Sequence, residues 1–296
     1  MGATILASDV LKHYRITTGS GFKLSRFDPD DRCGLDIEKT EAKTLLADGV
    51  KQLSSLQERL YAEHQWAILV VLQGLDAAGK DGVIKHVMSG VNPQGCEVHP
   101  FKQPSTLELD HDFLWRAAVA LPRRGHIGIF NRSYYEEVLV VRVHKEILDH
   151  QGLPPKLITK NIWTERFEDI NDFERHLARN GTAVIKMFLN ISKTEQQKRL
   201  LERIDDPAKR YKFNAGDIGE RNLWDQYQSA YEEMICGTAT EDAPWYVVPA
   251  DHKWFARIVV AAAIVDRIKA IDPQFPTLSE EQLRALAGVR AGLIAD

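Results

Sequence analysis

The sequence predicts an α/β fold: a parallel five-stranded sheet lying between two layers of helices. Two observations predict it. Short apolar runs at Trp66 to Leu72, Cys96 to Phe101, His126 to Phe130, Thr182 to Leu189 and Trp245 to Val248 alternate with helical stretches, and such alternation builds a parallel sheet covered on both faces. The first run also leads straight into Gly74-Leu75-Asp76-Ala77-Ala78-Gly79-Lys80-Asp81-Gly82, a glycine-rich strand-to-helix turn of the phosphate-binding kind.

Taken in order, residues 1 to 60 are polar and charged, with a helical pattern from Ile37 through Leu45, Leu46, Leu53, Leu56 and Leu60; they read as an N-terminal helical extension. Residues 61–272 form the main domain. Ser105 with Glu108 and Ser192 with Glu195 have capping-box spacing, and Gly181 and Gly237 stand where helices should stop. A helix is expected from Asp251 to Ile271, packed back on the sheet. Residues 273–296 make a C-terminal tail in which Ser279 and Gln282 open a last short helix.

The turn at 74–82 predicts phosphate chemistry. Glycines let the chain curl so that the N–H groups of Gly74, Ala77, Ala78, Gly79, Asp81 and Gly82 converge on phosphate oxygens, the following helix start adds positive dipole, and Lys80 adds a full charge. Asp81 occupies the place where a Ser or Thr hydroxyl ordinarily meets Mg²⁺, so the metal must be arranged differently, through Asp76 or Asp81. The bland alternative is a Gly-rich turn without a ligand.

Ligands of open α/β sheets bind beyond the carboxyl ends of the strands, and the run from His126 to Phe130 ends there in Asn131-Arg132-Ser133. Asn131 is neutral and cannot offset metal charge, so Glu136 is the candidate carboxylate; Ser133 and Glu136 also have capping-box spacing, so Glu136 has a structural alternative. Arg132 offers planar bidentate donors to phosphate, or else an ion pair with Asp76, Asp81 or Glu136.

Downstream, Arg199, Arg203, Lys209, Arg210, Lys212 and Arg221 surround a corner at Asp205-Asp206-Pro207. Pro207 should end the helix there. With a phosphate loop upstream this segment, about 195–222, reads as a helical lid whose cations neutralise a transferring phosphoryl group and exclude water; without one it would be a solvated face. Lys85, Lys102, Arg116 and Arg123-Arg124 could extend a positive track, Lys102 to an acceptor phosphate or base, and Tyr134 and Tyr135 belong either to the core or beside a nucleotide.

Composition bounds the rest. A net charge of −4 over 296 residues argues against a surface coated in positive charge, so no nucleic-acid partner is expected and a polyanion must be held locally. The three cysteines lack metal or disulfide spacing, the ten histidines include no paired-ligand motif, and no G-x-S-x-G element marks a serine hydrolase. With no signal pattern, no myristoylation motif because of Leu6, and no membrane-length apolar run, an unanchored cytoplasmic protein is expected.

Together, Gly74 to Gly82, Phe130-Asn131-Arg132-Ser133, and Asp206-Pro207 through Lys212-Phe213 resemble the family 2 polyphosphate kinases, over most of residues 35 to 270. The resemblance implies a P-loop kinase-like three-layer sandwich with a lid. It implies a Mg²⁺-dependent phosphotransferase, with Mn²⁺ as an alternative metal, acting between inorganic polyphosphate and nucleoside mono- and diphosphates, and a homo-oligomer. It gives Asp76 to the metal and the phosphates, Lys80 to the transferring phosphate and Arg132 to the acceptor side, beside which the residues themselves offer Glu136 to the metal and Glu136, Lys102 and Arg116 to the nucleotide. It gives the lid residues Arg199, Arg203, Lys209, Arg210 and Lys212 to the polyphosphate, to which the positive track adds Lys85. Asn131 with Glu136 departs from the aspartate-and-asparagine pattern of diphosphate-specific members and resembles the subgroup that accepts both AMP and ADP. The competing readings are an ATP-dependent nucleoside monophosphate kinase and a catalytically silent polyanion or nucleotide sensor.

Overall fold

The computed structural model describes residues 10–35, 37–214 and 216–295; the first nine residues and residue 36 of the expected N-terminal extension, residue 215 of the expected lid and residue 296 of the tail lie outside them. Six strands form one sheet: β1 (Arg15–Ile16), β2 (Ala67–Gln73), β3 (Cys96–Pro100), β4 (Ile127–Asn131), β5 (Thr182–Asn190) and β6 (Trp245–Pro249), in the order β1-β6-β5-β2-β4-β3. The five expected runs are the five mutually parallel strands. The sixth corrects the expected count. Arg15 and Ile16 pair antiparallel with Tyr246 and Trp245, and two residues are too few to show a period of 2 in the sequence.

All seven residues of β2 are buried, as its unbroken apolar run requires for a central strand with helices on both faces. The longer helices are α1 (Lys39–Glu63), α2 (Lys80–Val87), α3 (Ile162–Arg179), α4 (Lys193–Asp205), α5 (Gly216–Asn222), α6 (Trp224–Thr238), α7 (Lys253–Ile271) and α8 (Glu280–Ala295). One layer joins α1 and α2 through α7, and the other joins α3 to α6. This is the three-layer α/β arrangement that the alternation of runs predicts.

The punctuation holds with two exceptions, Gly237 and the Ser192–Glu195 box, of which only the Ser192 half forms. Ser105 and Glu108 form a complete capping box, Ser279 and Gln282 bond reciprocally ahead of α8, and Gly181 turns the chain after α3 at φ +84. Gly237 does not stop its helix: α6 runs on to Thr238. A Cβ on Gly237 would come within 2.6 Å of the Phe167 ring, so close packing of α6 on α3 explains this glycine. α8, expected to be short, has 16 residues.

Strand register sets the site. Leu72 of β2 lies beside Asn131 of β4, and Arg132 N–H donates to Leu72 O at 3.0 Å. The glycine loop leaving β2 and the Asn131-Arg132 turn leaving β4 therefore emerge side by side at the carboxyl edge.

Candidate active site

The loop between β2 and α2 is shaped by three unusual backbone positions. Gly74 and Gly79 have φ of +153 and +111, Ala77 sits in the left-handed region at +64, and a Cβ on Gly74 would press on Leu189 O at 3.0 Å. Only glycine tolerates such approaches cheaply. The loop's carbonyls are held from behind by α4: Gln196 donates to Asp76 O at 3.1 Å, and Arg199 to Ala77 O at 3.1 Å and Ala78 O at 3.0 Å. With three consecutive carbonyls tied back, the loop turns its amide face toward the cleft, the polarity an anion requires.

That role corrects the expectation for Arg199. Its guanidinium also donates to Ala250 O, Asp251 O and Glu195, and the residue is 4% exposed. All three of its nitrogens are engaged, so no donor is left for polyphosphate; it is a brace under the loop. Glu195, expected to complete a capping box, points to Arg199 instead, and Asp251 accepts from Ser192 N–H in its place.

The loop opens on a cleft of about 430 Å³. Asp76, Lys80 and Asp81 line it from the loop side, Lys102 from the segment after β3, Asn131 and Arg132 from the end of β4, and Arg203, Lys212 and Asp217 from the lid. Three of the cations are held by carboxylates of the same cleft. Arg132 meets Asp76 at 2.7 Å, Arg203 meets Asp217 at 3.1 Å, and Lys212 meets Asp81 at 3.5 Å. Lys80 is buried, with its ammonium on Gly74 O at 2.5 Å and Leu75 O at 3.3 Å. Burial, then the charge of Arg132, pulls its pKa from 10.5 down to about 8 against the opposing pull of Asp76, Glu136 and Asp81. Asp81 is also desolvated, yet its pKa is lowered, because the Asn131 hydrogen bond and the charges of Lys212 and Lys80 outweigh burial.

Arg132 adopts a left-handed backbone at φ +65, a conformation that costs a bulky side chain about 1–2 kcal/mol. The turn places its guanidinium between Asp76 and Glu136, 3.1 Å from the latter. Glu136 is otherwise removed from the cleft: its side chain is 14% exposed, and Gln73, with its amide oriented to satisfy both ends, donates to the second carboxylate oxygen at 2.9 Å. Neither expected alternative holds. Glu136 does not close a capping box, since Ser133 caps Tyr135 N–H and the Glu136 carboxylate turns to Arg132, and it does not face the cleft as a metal ligand. It anchors Arg132.

Several other expected contacts are relocated. Arg116 is buried, donating to Lys102 O at 2.8 Å and pairing with Glu137 at 3.6 Å, so it fixes the Lys102 backbone without reaching the cleft. Lys85 is exposed on α2 and Lys209 pairs with Asp206 at 3.1 Å. Arg210 donates to Ile204 O at 2.9 Å, and none of these three lines the cleft. Tyr134 and Tyr135 are fully buried, each giving its hydroxyl hydrogen to Glu174; they belong to the core. Asp217 and Gln196 were not foreseen. Burial, then the neighbouring charge of Asp76, raises the Asp217 pKa against the pull of Arg203. Gln196, Arg199 and Arg203 fall on one stripe of α4 at spacings of 3 and 4, a signal visible in the sequence once Pro207 ends the helix.

A divalent ion fits this donor set in one way. Among the described residues no group of three or more His, Cys, Asp or Glu side chains could enclose a metal, whereas Mg²⁺ commonly takes one or two carboxylates and completes its shell with water and substrate phosphates. Asp76, on the loop and 31% exposed, is the hard oxygen donor suited to that arrangement.

The sequence profile described as Polyphosphate kinase 2 matches residues 36–276. The chain belongs to the polyphosphate kinase 2 family. Among its relatives, an ADP-polyphosphate phosphotransferase of Rhodopseudomonas palustris is 45% identical over 96% of this chain and 98% of its own length. An AMP/ADP-polyphosphate phosphotransferase of Meiothermus ruber is 46% identical over 90% and 96%. A crystal structure of polyphosphate kinase 2 from Arthrobacter aurescens TC1 superposes with a TM-score of 0.84 at 40% identity, covering 95% of this chain and 96% of that one. Polyphosphate kinase 2 structures thus share this sheet and its helical layers.

Proposed function

We propose that this polyphosphate kinase 2 family member transfers phosphoryl groups between inorganic polyphosphate and both AMP and ADP, reversibly and with Mg²⁺, or Mn²⁺ in its place. The observation that carries the reading is the cleft itself: five cationic side chains, Lys80, Lys102, Arg132, Arg203 and Lys212, converge with three carboxylates on a glycine loop. Such a surplus of positive charge suits a polyanionic donor. Acceptance of both nucleotides is supported by Asn131 and Glu136 and by the printed name of the Meiothermus ruber relative. A cytoplasmic setting accords with Cys33, Cys96 and Cys236, which are free thiols.

In this reading the terminal phosphoryl group lies against the loop amides and Lys80, which leaves Gly74 O and Leu75 O to follow the anion. Arg203 and Lys212 exchange Asp217 and Asp81 for polyphosphate oxygens, closing the lid and excluding water that would hydrolyse the phosphoryl group. An oxygen of the nucleotide's terminal phosphate attacks the phosphorus in line, one P–O bond forms as the bond to the shortened polyphosphate breaks, and Lys80 and Arg132 offset the charge on the equatorial oxygens. A metal held at Asp76 would supply further charge neutralisation on the phosphate oxygens. The nucleotide phosphate is already ionised near neutrality, so the step needs no general base. Incubation with AMP, polyphosphate and Mg²⁺ in the absence of ATP is expected to give ADP and then ATP. An absence of product rejects the reading, and ADP without ATP removes ADP from its acceptors.

A further inference from the structure

Three side chains of α5 tie the lid down in different directions. Asp217 holds Arg203 at 3.1 Å, Arg221 donates to Lys193 O at 2.7 Å and to Gln196 at 2.9 Å at the base of α4, and Glu220 meets His144 at 3.0 Å. Gln196 in turn donates to Asp76 O of the glycine loop. The Glu220 tie runs to the body. His144 follows the short helix Val140–Val143, its N–H donating to Val140 O at 2.8 Å, and Arg142 of that helix pairs with Glu233 of α6.

Both ring nitrogens of His144 face carboxylates. Nε2 lies 3.0 Å from Glu220 and Nδ1 lies 3.4 Å from Glu146. A neutral imidazole has one N–H and would turn a lone pair on one of the two acids, whereas the imidazolium donates to both. The groups around the ring are Glu146 from its own segment and Glu220 from α5, with the Tyr227 hydroxyl of α6 donating to the Glu220 carboxylate. Burial pulls the His144 pKa down, but the hydrogen bonds and charges of Glu220 and then Glu146 outweigh it and hold the ring above its ordinary 6.5.

We propose, on the reading of the cleft as a polyphosphate site, that His144 is a positioning residue for that substrate: its imidazolium clamps α5 to the body, and loss of its proton loosens the lid. Lys212 lies on the turn between α4 and α5, so its place depends on both helices being fixed. α4 is fixed by Arg199 on Ala250 O and Asp251 O, and α5 by Arg221 and Glu220. A lid with both roots held has less freedom to lose when polyphosphate oxygens draw in Arg203 and Lys212. The clamp is complete while the ring is protonated and fades as pH rises through its pKa. Lys102 and Arg132 stand on the turns after β3 and β4, at the other side of the glycine loop in the sheet order, so nucleotide affinity does not follow the clamp.

Calorimetric titration with tripolyphosphate, without nucleotide, tests this in the wild type, His144→Gln and His144→Lys. At pH 6 the His144→Gln chain should bind about fivefold more weakly than wild type, the worth of one partly exposed ion pair, and by pH 8.5 the two should converge. His144→Lys, which keeps a charge, should match wild type at pH 6 and bind more tightly than wild type at pH 8.5. The Kd for AMP should be the same in all three chains, and in a Glu220→Gln chain the exchange of His144 for Gln should cause no further loss. The response of Lys80 to pH is common to every chain and cancels in the ratio. A ratio of His144→Gln to wild type that is equal at the two pH values overturns the proposal, as do equal losses for AMP and tripolyphosphate, a His144→Lys chain that behaves like His144→Gln, or a further loss in the Glu220→Gln chain. A wild type that binds no tripolyphosphate at either pH rejects the reading of the cleft itself, and this role of His144 with it.

Discussion

Lys80 carries the chemistry at the scale of single residues. Replacing it with alanine removes the one positive charge of the loop, and kcat should fall by about 10²-fold or more, the effect of losing one preorganised donor to a charged transition state; steady-state rates at saturating polyphosphate check this. Its pH behaviour has a definite sign. With the folded pKa at about 8 and the ordinary value at 10.5, the unfolded chain keeps the proton between those limits while the folded chain releases it. This group's contribution to stability therefore rises with pH across that window, and the affinity for an anion that needs the charged ammonium falls. Calorimetric titration with tripolyphosphate should show a Kd that weakens as pH rises through about 8, and a constant Kd from pH 7 to 10 would contradict it. The loop was legible because glycine and lysine spacing there encodes a backbone shape. Arg199 and Glu136 were not, since charge spacing shows which helix face a residue shares but not that Ala77 O, Ala250 O or Arg132 lies opposite.

Among elements, the lid and α4 divide the labour. α4 braces the loop through Gln196 and Arg199, while Arg203 at its far end and Lys212 beyond the Pro207 corner reach the cleft. Arg203→Ala should raise KM for polyphosphate about tenfold with little change in KM for the nucleotide. Equal changes in both would move Arg203 out of the polyphosphate path. Arg199→Ala should behave differently: it leaves the carbonyls of Ala77, Ala78 and Ala250 without their donors, each buried unpaired group costing about 1–3 kcal/mol, so thermal stability falls together with kcat. The five parallel strands were readable because continuous apolar runs such as Ala67 to Leu72 have no other stable location than a covered sheet. Gly237 was misread for the opposite reason: its significance lies in Phe167, seventy residues away in sequence.

Across the whole molecule, the sheet is pinned by a polar cluster that no local pattern announces. Lys186 of β5 pairs with Glu174 of α3 at 2.6 Å, both fully buried, and the hydroxyls of Tyr134 and Tyr135 close on the same carboxylate. The cluster ties the β4 exit turn, which bears Arg132, to the helical layer behind it. Lys186→Met should destabilise the fold by about 3–5 kcal/mol by leaving Glu174 without its counter-charge, and replacing Glu174 with leucine in the same chain should recover part of the loss in a calorimetric melt. With the glycine loop braced by α4 and the β4 turn tied to α3, the sheet can hold the loop, Arg132 and the lid in register over one anion. The most direct measurement is a crystal structure with Mg²⁺ and tripolyphosphate. A terminal phosphate is expected within hydrogen-bond reach of Lys80 Nζ and the amides of residues 78–82, with the ion on Asp76 and Glu136 still bonded to Arg132. Polyphosphate bound elsewhere, with Lys80 unmoved on Gly74 O and Leu75 O, would contradict it.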